Sequence, residues 1–315
     1  MSSNKIHIPF LSTVFKSWQF ASQAYAGEQK KTIRKQRWKS FFLTLINARI
    51  AAKWFKIIQA PDFLVVASHR PGLYIKPFRV YMSTRWTKKQ KIKVIQDTYR
   101  FIIGKGDAFM QVITSNSELE IAHLKMNDTM EGSLTIGYDK RYRKEGELVL
   151  SFNCDQLGGK IVAAAFSFEE IEKDCWVCRI GCVQGHGKNE AYSSKIAQKH
   201  LYGMRPKSLA IFTVQELSRH LGLTAVYGAG DIIQAYRKKH AIHIHWKHSI
   251  KFDYDAFWSE CGGQPVSDGW YELPLTPVRR SIQDIKSEKR SLYTKRYRVL
   301  DELSLEIADS VKKIV

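Results

Sequence analysis

The sequence predicts an α+β protein: a basic helical N-terminal region followed by a mixed sheet with helices. Three observations carry that expectation. Apolar residues recur at three- and four-residue steps through the N-terminal third. Beyond residue 116 the pattern changes to short β-like runs separated by turn signals. Charge changes at the same place. Residues 1–115 hold 21 Lys and Arg against four acids, Glu28, Asp62, Asp97 and Asp107, whereas residues 116–278 hold 19 basic and 20 acidic residues. The last segment, 279–315, holds 10 basic and 6 acidic residues. The chain therefore divides into a basic, mainly helical module (1–115), a mixed α/β body (116–278) and a charged C-terminal helix (279–315).

The first helix is expected over 9–26, where Leu11, Phe15, Trp18 and Tyr25 share a face and Gly27 can end it. A second is expected from Lys30 to about Gln59, cationic in its first half, apolar in its second, and stopped by Pro61. Residues 62–87 read as irregular, punctuated by Pro71, Gly72 and Pro77, and 88–103 as another basic helix. Three strands follow, Glu147–Phe152, Lys160–Phe168 and Cys175–Val183, whose short spacing favours an antiparallel meander. Two helices come next, Glu190–Tyr202 and Pro206–Leu221, the second with Pro206 at its start and Gly222 after its end. Leu223–Tyr227 reads as a buried strand, Ala241–His248 as another, and a charged helix closes the chain from about Ile282.

A hydrophobic fraction of 44% suffices for a packed core and excludes global disorder. A net charge of +20 calls for an acidic partner: an anionic membrane surface, an acidic protein client or, less favoured, nucleic acid. Five cysteines, an odd number, do not make a disulfide framework, so a cytoplasmic location is expected, at the inner face of the inner membrane if the basic module docks there. The small residues at 21–27 imitate a signal cleavage site, but Lys16, Trp18 and Gln19 break the stretch before them. Arg49 and Lys53 stop the apolar stretch Ser40–Ala48 well short of a transmembrane span.

Candidate anionic-surface residues are Lys30, Lys31, Arg34, Lys35, Arg37 and Lys39, with Phe15 and Trp18 as apolar anchors. Glycines let the turn Gln184-Gly185-His186-Gly187-Lys188, between a strand and a helix, bring backbone N–H groups close to an anion. Cys175-x-x-Cys178 lacks the second pair of a zinc site and reads as small core residues. His240, His243, His245 and His248 cluster without a third ligand fixed by spacing, which favours a polar face over a metal site. No metal or nucleophile triad is assigned.

The stretch Ile180–Leu223, with Gly181, Gln184-Gly185, Gly203-Met204-Arg205-Pro206-Lys207 and Leu221-Gly222, resembles the VirK/YbjX family. Tyr254-Asp255-Ala256-Phe257-Trp258, Glu260, Gly262-Gly263 and Gly269-Trp270-Tyr271-Glu272-Leu273-Pro274 extend the resemblance over most of the chain. It implies a virulence-associated accessory protein of the Gram-negative envelope, linked to outer-surface protein display and envelope integrity, with membrane-associated members. It supplies no catalytic residues. The meander, crossover helix and buried strand also resemble the core of GNAT-type acyltransferases, in which backbone N–H groups at a turn matching 184–188 hold acyl-CoA. The Q/R-x-x-G-x-G/A pattern of that turn is absent here, and two helices stand where one is expected. The expected function is thus a membrane-peripheral envelope protein without a cofactor, the alternatives being a CoA-dependent acyltransferase and a sequence-neutral nucleic-acid binder.

Overall fold

An eight-stranded mixed sheet organises the computed structural model, which describes residues 8–115, 117–127, 129–186, 190–237 and 252–314. Among the described residues six helices precede it: α1 (Ile8–Ala24), α2 (Lys30–Ile46), α3 (Ala48–Ile58), α4 (Pro61–His69), α5 (Lys88–Gly104) and α6 (Asp107–Thr114). The antiparallel meander is longer than the three strands expected. It comprises β1 (Leu119–Asn127), β2 (Met130–Gly137), β3 (Leu148–Cys154), β4 (Gly159–Glu172) and β5 (Cys175–Gly185). Helices α7 (Glu190–His200) and α8 (Pro206–His220) then cross over to β6 (Ala225–Ala229), which pairs parallel to β5. Helix α9 (Tyr254–Glu260) and the antiparallel strands β7 (Gln264–Pro265) and β8 (Trp270–Leu273) complete the sheet, in the order β1-β2-β3-β4-β5-β6-β8-β7. Helix α10 (Ser287–Ile314) packs on α8 and β1.

Two expectations in the basic segment need correction. The single helix from Lys30 to Gln59 breaks at Asn47, whose backbone leaves helical geometry (φ −121°, ψ 26°). The Asn47 side-chain amide donates to the Leu43 carbonyl at 2.6 Å, the local side-chain bond by which Asn competes with helix continuation. Residues 62–87 are not irregular throughout. Pro61 begins α4, at a position where its missing N–H costs nothing, and Pro71–Phe78 form 3₁₀ turns. The strand expected over Ala241–His248 lies outside the described residues.

One apolar cluster joins both halves of the chain. Trp54 and Tyr99 of the basic segment belong to it together with Phe166 of β4, Leu209 of α8 and Trp258 of α9, all buried. Helix α5 serves the stretch of β4 that runs past the end of β3. The β3–β4 pairing reaches Leu148↔Phe166, and just beyond it Thr98 Oγ1 accepts from Phe168 N–H (3.0 Å) and donates to Phe168 C=O (2.9 Å). The helix thereby satisfies backbone groups that no strand reaches. A capping box between Thr87 and Gln90 fixes the start of α5.

Candidate functional site

The turn at Gly27 (φ +117°) folds α2 back along α1. Trp18 packs edge-on against Trp38 at 5.3 Å, and Arg37 Nε donates to Ser22 Oγ at 2.8 Å. This hairpin carries the surface residues singled out from the sequence. Lys30, Lys31, Arg34, Lys35 and Lys39 are exposed, while Arg37 and Trp18 are half-buried against each other's helix. Phe15 is 70% exposed.

The outer face of α2 has an order that composition alone did not reveal. At steps of three and four residues it presents Lys31, Arg34 and Lys35, then Trp38, Phe42, Leu45 and Ile46, all exposed. One helix face thus runs from cationic to apolar. Trp38 and Phe42 stack at 5.9 Å, and Ile46 is 78% exposed. Leu64 and Val65 of α4 are exposed as well. No helix among the described residues is long and apolar enough to cross a membrane.

At the turn end of the hairpin lies a cavity of about 400 Å³, walled by Tyr25 and Glu28, by residues 69–73, 75–76 and 79–80, by Tyr99 of α5, and by Tyr138, Lys140, Arg143, Lys144 and Glu147 of the loop that leads into β3. Its floor is an ion pair: Lys76 Nζ lies 2.6 Å from Glu147 Oε1, and Tyr99 Oη donates to Glu147 Oε2 at 2.6 Å. Burial holds the Lys76 ammonium below its usual pKa despite Glu147, and burial beside the same carboxylate holds the Tyr99 phenol well above its own. On one wall the Arg70 guanidinium lies 4.0 Å from the Tyr138 ring centroid and donates to Val112 C=O. On another, Arg79 donates to Tyr25 Oη (3.2 Å) and Gln36 Oε1 (2.8 Å). Lys140, Arg143 and Lys144 are exposed at the rim.

Sequence reading missed this site because its residues come from four separated segments. The available signal was the run Lys140-Arg141-Tyr142-Arg143-Lys144, a local positive block inside a body whose charges cancel overall. A second, smaller cavity of about 220 Å³ contains Arg179, which is stacked among Trp86, Tyr227 and Trp270 and paired with Glu169. Its cation is already neutralised.

The other predicted residues fall elsewhere. Gln184, Gly185 and His186 end β5 half-buried, while Gly187 and Lys188 lie outside the described residues. Arg141 Nη1 lies 2.7 Å from His186 Nε2, and the Glu190 side chain sits over Gly185, so a carboxylate occupies the space that glycine leaves. Arg205 precedes α8 and pairs with Glu260, Pro206 opens the helix, and Lys207 Nζ lies 3.9 Å from the Phe252 ring centroid. Trp258 is fully buried, donates to Ala229 C=O at 2.9 Å and covers Gly228. Gly262 (φ +83°) follows the end of α9, and Gly263 N–H donates to Trp258 C=O. These motif residues fasten α9 to β6 and the start of α8; they hold the fold rather than line the cavity. Cys178 and Cys182 are buried in the core, as expected for the cysteine cluster, whereas Cys175 is half-exposed on the same strand.

Comparison with known proteins agrees with the resemblance seen in the sequence. The chain is 25% identical over 284 residues to the uncharacterized protein YbjX of Escherichia coli (strain K12), covering 87% of this chain and 83% of that protein. It is 25% identical over 258 residues to an uncharacterized protein of Haemophilus influenzae, covering 79% and 83%. A further Haemophilus influenzae protein is 37% identical over 113 residues, 36% of each chain. No solved structure matches. The family model described as "Protein of unknown function (DUF535)" matches residues 29–309, and the chain belongs to that family.

Proposed function

We propose that the protein is a peripheral protein of the bacterial envelope that docks on an anionic membrane surface through the α1–α2 hairpin. A single observation carries this reading: the exposed face of α2 passes from Lys31, Arg34 and Lys35 to Trp38, Phe42, Leu45 and Ile46. A membrane interface offers both matching environments, acidic headgroups for the cations and the acyl boundary for the aromatics. Phe15 of α1 adds a third exposed aromatic on the same hairpin. Each cation near an anionic surface contributes roughly 1 kcal/mol, so the group supports reversible rather than permanent attachment. The side that fits is the cytoplasmic face of the inner membrane. From there the protein would support outer-surface protein display or envelope integrity, the role that the family resemblance implies.

The test is the environment of Trp38. Anionic vesicles carrying brominated acyl chains should quench the emission of the intact protein, and Trp38→Phe should lose most of that quenching while still floating with the vesicles. Unquenched emission in the presence of bound vesicles would place the contact elsewhere and sink this reading.

A further inference from the structure

The basic cavity has an electrostatic feature that membrane docking does not use. Six cationic side chains line it, those of Arg70, Lys76, Arg79, Lys140, Arg143 and Lys144, against the carboxylates of Glu28 and Glu147. Glu147 is committed to Lys76 at the floor. Lys140 lies 3.9 Å from Glu28 at the rim. Arg79, Arg143 and Lys144 have no carboxylate within ion-pair distance among the described residues. Two of these three are held in place by neutral groups: Arg79 by Tyr25 and Gln36, and Arg143 by the Lys140 carbonyl at 2.9 Å. The Arg79 Nε is buried and has no hydrogen-bond partner among the described residues. A buried donor without a partner costs stability, and several like charges converging on one cavity repel each other. Burial and the positive charge of Arg79, Lys35 and Lys144 together lower the pKa of nearby Lys39, an independent sign of that crowding. The remaining walls are aromatic and apolar, with Tyr25, Tyr99, Tyr138, Leu73, Ile75 and Val80.

We infer that the cavity binds a phosphate monoester with a small organic body. A monoester near neutral pH carries close to two negative charges and three terminal oxygens, which suits the Arg79 guanidinium on one side of the cavity and the Arg143 guanidinium and Lys144 ammonium on the rim loop. The phenol rings and aliphatic walls accept the organic part. A phosphodiester carries one charge and two free oxygens and leaves part of the cationic set unpaired. The same chemistry is found on a soluble phosphorylated metabolite and on the monoester headgroup of a lipid. Tyr25 and Glu28, at the turn of the docking hairpin, form one wall, so either source has access. The inference stands without the docking reading, because none of the six cavity cations belongs to α2 or to its exposed charges.

The experiment is calorimetric titration of the intact protein with glycerol 3-phosphate and with dihexanoyl phosphatidic acid below its micelle concentration. Glycerol and dihexanoyl phosphatidylglycerol are the controls. Saturable binding of glycerol 3-phosphate identifies a soluble ligand; binding of the phosphatidic acid alone identifies a lipid headgroup. Either supports the inference if the rim variant Arg143→Ala/Lys144→Ala weakens binding by about tenfold or more. A variant with Lys30, Lys31, Arg34 and Lys35 changed to Gln should retain it, which separates the cavity from the docking face. Both rim positions are exposed, so this variant should fold. Arg79→Gln, checked for folding by circular dichroism, gives the second reading from inside the cavity. Absence of saturable binding to either monoester, equal affinity for the phosphodiester, or unchanged affinity in the rim variant would each overturn the inference.

Discussion

Lys76 and Glu147 meet at 2.6 Å, with side chains 11% and 0% exposed, and tie the N-terminal helical region to the entry of β3 in the sheet. Lys76 comes from the 3₁₀ segment after α4, and Glu147 from the residue before β3. Removing one partner strands the other as a buried charge, which typically costs about 3–5 kcal/mol. Glu147→Ala should therefore destabilise the protein by that amount in urea unfolding. The double variant Lys76→Met/Glu147→Gln should cost less than Glu147→Ala alone. A loss below about 1 kcal/mol for Glu147→Ala would mean that water reaches the pair.

Glu145 lies close by with its Oε2 buried and unpartnered among the described residues, and burial raises its pKa above the ordinary carboxyl value of 4.5. A carboxyl group with a raised folded-state pKa favours the fold below its unfolded pKa and loses that contribution as pH rises through the folded value. Wild-type protein should therefore lose this contribution as pH rises above the ordinary carboxyl range, whereas Glu145→Gln does not titrate. The melting temperature of the variant minus that of wild type should be more positive at pH 7 than at pH 4. A difference independent of pH would show that Glu145 is solvated.

Lys30, Lys31, Arg34 and Lys35 have no ion-pair partner among the described residues and are exposed. Changing all four to Gln should leave the melting temperature nearly unchanged and weaken binding to anionic vesicles by about a thousandfold, at roughly 1 kcal/mol per charge. Undiminished vesicle binding by this variant would refute the role of α2.

Gly228 on β6 faces the Trp258 ring, and a Cβ there would lie 2.5 Å from the nearest indole carbon. Gly228→Ala should cost about 1–3 kcal/mol through overpacking, with no effect on vesicle binding. A neutral result would show that Trp258 can shift and that the motif does not lock α9.

Much of the fold was legible because its signals are local. Pro206 and Gly222 bracket α8 as their backbone preferences require, and the β4 and β5 runs are apolar enough to mark central strands. Strands β1 and β2 escaped notice because polar residues interrupt them: Lys125 and His123 in one, Glu131 and Ser133 in the other. The break at Asn47 and the start of α4 at Pro61 depend on single side chains within an otherwise helical pattern, where periodicity says nothing. The cationic run that opens α2 was legible from composition, but the grading of its outer face became visible only once burial separated exposed Phe42 from half-buried Phe41 and Leu43. The cavity was not legible, because Arg79, Tyr99, Arg143 and Glu147 are brought together by tertiary packing.

The most direct test of the account is co-flotation of the intact protein with vesicles of anionic or neutral lipid across a salt series. The account predicts binding to anionic vesicles that falls as salt rises, and none to neutral vesicles. Absence of binding to anionic vesicles at low salt would contradict it and would assign the positive charge to an acidic protein or to nucleic acid.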